Sequence, residues 1–140
     1  MPDDLGAVAA RHTELIVGAL PGAEVHLTGT ASVPGLAAND VDLVALVPDV
    51  TAAAAELRHV YAPLYEDHWS DTWAAFRAPG PPQVDVVLTR RGTTWDALHR
   101  RAWDLLRDDP ALLEEYAEAK KTPEGKHEFF ERVVRLLPPG

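Results

Sequence analysis

Two short apolar runs, each carrying aspartate, limit what this chain can fold into. The first reads Asp40-Val41-Asp42-Leu43-Val44-Ala45-Leu46-Val47 and the second Val84-Asp85-Val86-Val87-Leu88. An almost unbroken apolar run suits a strand covered on both faces, which puts the carboxylates of the first at the rim where sheet meets solvent. Residues two apart on a strand share a face, so Asp40 and Asp42 aim at one spot, roughly 7 Å apart along the backbone. Carboxylates so placed either raise each other's pKa or stay ionised around a divalent metal, the arrangement that phosphoryl and nucleotidyl transfer needs. Asp85 stands where periodicity asks for a hydrophobe. An unpaired buried carboxylate is costly, so Asp85 needs a partner: the same metal, or Arg77 or Arg90.

Nine residues separate Gly29-Thr30 from Asp40. A glycine there lets backbone approach phosphates without a Cβ in the way, and the Thr30 hydroxyl and turn amides donate to phosphate oxygens. Each feature also has a plain reading. Asp-x-Asp fits a solvated strand start opposite basic residues, and Pro34-Gly35 is an ordinary type II turn pair. Weight therefore rests on the combination.

In that combination the chain resembles the nucleotidyltransferase superfamily, whose motif is a hydrophobe, Gly, Gly or Ser, a spacer, and Asp-hydrophobe-Asp, with a third Asp on a later strand. Within it the closer likeness is to GrpB-like proteins, carried by Gly29-Thr30-Ala31-Ser32-Val33-Pro34-Gly35-Leu36-Ala37-Ala38. Downstream, Asp104 to Pro110, Glu115 to Lys120 and Lys126-His127-Glu128-Phe129 resemble further segments of that family. The likeness spans roughly residues 24 to 137. Departures are Thr30 where Ser is usual, a missing Lys-Pro before the Asp strand, a shortened connection before Lys126, and Asp85 where relatives commonly have His-Leu-His.

The resemblance implies a metal-dependent nucleotidyltransferase that moves a nucleoside monophosphate from a nucleoside triphosphate to a hydroxyl of a small molecule or protein. Asp40, Asp42 and Asp85 would be catalytic and hold Mg²⁺ or Mn²⁺. Gly29, Thr30 and Ser32 would bind the nucleotide, with Lys120 and Lys126 as counter-charge. The alternative is a nucleotide-binding or protein-interaction module on the same fold with little turnover. Antitoxin-like small nucleotidyltransferases usually carry Gly-Ser-x-Ala-Arg-Gly, and this turn lacks that Arg.

At 140 residues and 46% hydrophobic the chain suits one domain with a single core, spanning 1–140. A formal charge of -9 argues against nucleic acid as a main partner. Of thirteen Lys and Arg, only Arg11 and Arg58 precede residue 60, so basic groups for a triphosphate must come from the second half. Absence of cysteine excludes disulfides and thiolate metal sites, and the six scattered histidines show no zinc spacing. Ser70 beside His68 and Asp71 lacks the Gly-x-Ser-x-Gly context of a hydrolase. The acidic Met1-Pro2-Asp3-Asp4 start is unlike a signal peptide, no run approaches the roughly 18 apolar residues of a membrane span, and a cytoplasmic protein is expected.

Pattern and breakers predict a helix over about 4–20, a strand over 24–28, the Asp strand, and a helix capped by Thr51. Strands near 61–66 and 72–78 and a stiff Pro79-Gly80-Pro81-Pro82 connector precede the Asp85 strand. From Thr93 the chain reads as about three helical pieces, broken before Pro110 and near Thr122-Pro123. Trp95 and Trp103, eight apart, are assigned to one buried helical face. Strands first and helices last make an α+β fold, with a nucleotidyltransferase-like mixed sheet, helices packed on it and a helical C-terminal region.

Overall fold

The computed structural model describes residues 4–138. Helix α1 (Leu5–Ala19) is started by the Asp4 side chain, which accepts from the Gly6 and Ala7 amides at 3.0 and 3.4 Å. Strand β1 (Glu24–Thr28), a 3-10 turn at Thr30–Ser32 and strand β2 (Val41–Leu46) follow. Next come α2 (Val50–Leu57), β3 (Ala62–Leu64), β4 (Trp73–Ala78) and β5 (Val84–Thr89). The remainder is helical: α3 (Thr94–Asp96), a π-helical turn (Ala97–Arg101), α4 (Ala102–Asp108), α5 (Pro110–Ala119) and α6 (Pro123–Leu136). The breaks expected at Pro110 and Thr122-Pro123 are present, each with a proline in the first helical turn behind an Asp109 or Thr122 cap. The fold is the expected α+β arrangement. Residues 1–3, which carry most of the acidic start, lie outside the described residues.

Two expectations need correction. The α2 cap is Asp49, whose side chain accepts from Ala52 N at 3.0 Å, and Thr51 falls inside the helix. Asp and Thr both cap well, and the helix starts at the earlier one. Trp95 and Trp103 do not share a buried face: Trp95 is exposed and Trp103 is buried, because the π-helical turn between them breaks the 3.6-residue period.

The strands form one mixed sheet in the order β1-β2-β5-β4-β3. The central pair, β2 and β5, is parallel and the other pairs are antiparallel. Alternation along each strand divides the sheet's two faces. Val41, Leu43, Ala45, Val84, Val86, Leu88, Ala74 and Phe76 pack with α1 and α2 into the first core, which includes Ile16 and Leu57. Asp42, Asp85, Val87, Trp73, Ala75 and Arg77 alternate with these and so occupy the opposite face.

A second core belongs to the C-terminal helices: Trp103, Leu106, Leu112, Tyr116, Phe129, Phe130 and Val133, with Val33 from the segment after the glycine turn. The chain is steered from β5 into this region by buried Asp96, which accepts from Gly92 N at 2.9 Å and pairs with Arg100 at 2.6 Å. Thr28 Oγ1 donates to the His99 carbonyl in the π-helical turn, tying β1 to the helical region.

Phe76 is fully buried in the first core, its ring 5.0 Å from that of Trp69. Truncation to alanine at such a site removes both transfer energy and packing. Phe76→Ala is expected to lower unfolding free energy by about 3–5 kcal/mol, measured by urea titration with an unchanged m value.

Candidate functional site

The unpacked face of the sheet and the C-terminal helices enclose a cleft of about 530 Å³. Its sheet wall includes Thr28, Asp42, Asp85, Trp73 and Ala75, and its helical wall Leu98, His99, Trp103, Lys126 and Phe130. Four residues of the open face fall in one row across the sheet. Thr28 on β1 partners Asp42 on β2, Asp42 partners Asp85 on β5, and Asp85 partners Arg77 on β4. Hydrogen-bonded strands lie about 4.8 Å apart, so this register sets the two carboxylates side by side.

Gly29 explains how the turn meets the strand. Its φ is +72°, a conformation that side chains with a Cβ rarely adopt, and a Cβ there would stand 2.5 Å from Asp42 Oδ2. The glycine is required by the carboxylate packed against it. Ser32 Oγ donates to the Gly29 carbonyl at 2.6 Å and receives Arg107 Nη1 at 2.7 Å, which fixes the turn to α4. Thr30 opens the 3-10 turn.

Electrostatics single out Asp42. Burial, then the negative charges of Asp40 and Asp85, push its pKa up to about 6, opposed by Lys126 and Arg77. No hydrogen bond contributes. Asp85 is held differently: Arg77 Nε reaches Oδ1 at 2.7 Å and Nη2 reaches Oδ2 at 3.1 Å, while Gln83 Nε2 lies 3.4 Å from Oδ2. Of the partners considered for Asp85, Arg77 is the one present, and Arg90 is exposed beyond the end of β5.

The two lysines separate. Lys126, in the first turns of α6, lines the cleft. Lys120 caps α5 and lies over the Tyr116 ring at 5.5 Å, and it is not among the lining residues.

The sequence pointed Trp95 and Trp103 to a buried helical face and showed no zinc spacing among the histidines. Trp73, Trp103 and His99 nevertheless line the cleft. Burial pushes the His99 pKa down to about 4, so its ring is neutral at pH 7. His99 Nε2 and Trp73 Nε1 are buried without hydrogen-bond partners. Trp95 bridges them, with ring centroids 5.5 Å from Trp73 and 6.1 Å from His99. No helical or strand period could reveal this grouping, since it joins β4 to a π-helical turn.

As a donor set, Asp40 and Asp42 offer oxygens alone, which suits a hard cation such as Mg²⁺ or Mn²⁺ rather than zinc. Among the described residues no group of three or more His, Asp or Glu stands in a metal-holding arrangement. The residues therefore fit an ion held by one or two carboxylates and completed by substrate and water.

Two outcomes follow from the Asp42 environment. A folded-state pKa above the unfolded value means that the native state binds the proton more tightly, so stability is lost as pH rises from about 4 to about 6. Asp42→Asn removes that loss. It is expected to be more stable than wild type at pH 7.5 by on the order of 1–3 kcal/mol, with the gap closing near pH 4 in paired denaturation curves. Gly29→Ala is expected to destabilise by roughly 1–3 kcal/mol. Combination with Asp42→Ala, which removes the Oδ2 contact and leaves only the Cβ at 3.2 Å, should recover part of the loss in a double-mutant cycle.

Comparison with solved structures finds GrpB from Enterococcus faecalis similar, with a TM-score of 0.75 and 18% identity over 94% of this chain and 91% of that one. A cytoplasmic RNA terminal U-transferase matches at a TM-score of 0.46 and 16% identity, over 83% of this chain and 39% of that one. No curated protein matches the sequence. Among the described residues no helix is long and apolar enough to cross a membrane. Residues 4–132 match the GrpB protein family, and the chain belongs to it.

Proposed function

We propose that the protein is a metal-dependent nucleotidyltransferase, taking a nucleoside monophosphate from a nucleoside triphosphate to a hydroxyl of a small molecule or protein side chain. The observation that carries this reading is the close packing of the Gly29 turn on Asp42, in a cleft that Asp85 also lines. Glycine turn, paired carboxylates and cleft are the parts that phosphate handling requires.

Asp40 and Asp42 hold the metal, which when bound neutralises charge on the triphosphate. Gly29, Thr30 and Ser32 form the turn whose backbone accepts the close approach of phosphate oxygens. Lys126 supplies a positive charge from the helical wall, and Lys120, over the Tyr116 ring, is not among the residues lining the cleft. Trp73 and Arg77 are four residues apart on β4, roughly 13 Å along the strand. That distance separates the carboxylate row from the Trp73 and His99 wall, leaving space for a sugar between phosphates and a stacked base. A neutral His99 ring and the Trp73 indole suit an uncharged heterocycle.

A second reading, a nucleotide-binding or interaction module with little turnover, is favoured by the Arg77 fork on Asp85. One experiment separates the two. Thermal unfolding with ATP, GTP, CTP and UTP, with and without Mg²⁺ or Mn²⁺, is expected to show stabilisation of about 2.7 kcal/mol at a hundredfold excess over Kd. The shift should require metal, vanish in Asp40→Asn/Asp42→Asn and shrink in Lys126→Ala. Pyrophosphate release with the selected nucleotide then identifies the enzyme. A shift without release identifies a nucleotide-binding module, and no shift with any nucleotide rejects the enzyme and leaves the interaction module.

A further inference from the structure

We infer that the site takes one divalent cation per chain rather than two, because the Arg77 guanidinium engages both oxygens of Asp85, the carboxylate a second ion would need. This rests on the reading of Asp40 and Asp42 as metal ligands. A two-ion site requires Asp85 to turn its carboxylate toward the second ion. In this protein both Asp85 oxygens face a guanidinium, Oδ1 at 2.7 Å from Nε and Oδ2 at 3.1 Å from Nη2. A planar fork of two parallel donors matches a carboxylate in direction as well as charge, unlike a single ammonium.

The sheet register makes the arrangement a built feature. Arg77 and Asp85 are direct partners on β4 and β5, and Asp85 is the direct partner of Asp42 on β2. The order across the face is therefore cation, carboxylate, carboxylate, with Asp40 just ahead of β2 in the chain. A fixed positive charge on Asp85 repels a second divalent ion and leaves the Asp40 and Asp42 pair as the place for the first. Side-chain exposures of 37% for Arg77 and 24% for Asp85 keep the pair partly shielded from water. Gln83, two residues before Asp85 on the approach to β5, reaches Oδ2 at 3.4 Å.

The inference is read from metal stoichiometry, without turnover. Mn²⁺ is titrated into the full chain and free Mn²⁺ is followed by electron paramagnetic resonance. Wild type should bind one Mn²⁺ per chain, Arg77→Ala two, and Arg77→Ala/Asp85→Asn one again. Arg77→Lys keeps the charge and should stay at one, which supplies a folded control if the alanine variant is unstable. Two ions on wild type, or one on Arg77→Ala with native circular dichroism, would overturn the inference and leave the nucleotidyltransferase reading standing. No ion on wild type would also overturn the inference, and the metal-dependent nucleotide shift in thermal unfolding would then decide the nucleotidyltransferase reading separately. If Arg77→Ala does not fold, two ions on Arg77→Lys would count against a charge-based exclusion.

Discussion

The parallel pairing of β2 with β5 is the interaction on which the site and the first core depend. In its register Val41, Leu43 and Ala45 face α1 and α2 beside Val84, Val86 and Leu88, while Asp42 and Asp85 fall together on the other face. A slip of one residue in either strand would carry a carboxylate into the first core and expose a row of hydrophobes. Burial of the aliphatic residues therefore fixes where the charges go. The polar row is a consequence of apolar packing on the reverse side of the same strands.

The charges in that row are unequal because their surroundings differ. Asp85 receives a guanidinium across the antiparallel β4 pair, whereas Asp42 has Gly29 backbone against it and only distant positive charge from Lys126 and Arg77. Two carboxylates of one chemical type thus come to sit differently, Asp85 paired with a guanidinium and Asp42 buried against backbone with its pKa raised. The glycine turn is held in place from elsewhere, by Ser32 and Arg107 and by the Thr28 hydroxyl on the π-helical carbonyl. Those contacts make the helical region part of the site's support as well as its wall.

Belonging to the GrpB family accounts for the overall architecture, in which the sheet and the C-terminal helices bound the cleft. The π-helical turn connects them. By adding a residue to the helix after β5 it presents Leu98 and His99 to the cleft and Trp103 to the second core. Such turns recur where a helix must aim side chains that a regular period would misplace.

Much of the fold was legible in the chain because burial and breakers act locally. Alternation and apolar runs located β1, β2, β4 and β5, Asp4 marked the start of α1, and prolines marked the starts of α5 and α6. Asp40, Asp42 and Asp85 drew attention because charge within an apolar strand is costly wherever the strand is placed. The Asp85 partner was narrowed to a metal or two arginines, but choosing Arg77 required knowing that β4 lies next to β5. The cap of α2 hung on competition between two adequate residues, and the Trp95 and Trp103 faces on a π-helical turn that has no sequence period. The assembly of Trp73 with Trp95 and His99 likewise joins Trp73 to residues 22 and 26 positions further on through tertiary packing. Sequence determined which segments could be buried and which residues could not be buried alone; only the tertiary structure decided which of those residues meet, because strand order and register are set by the whole core at once.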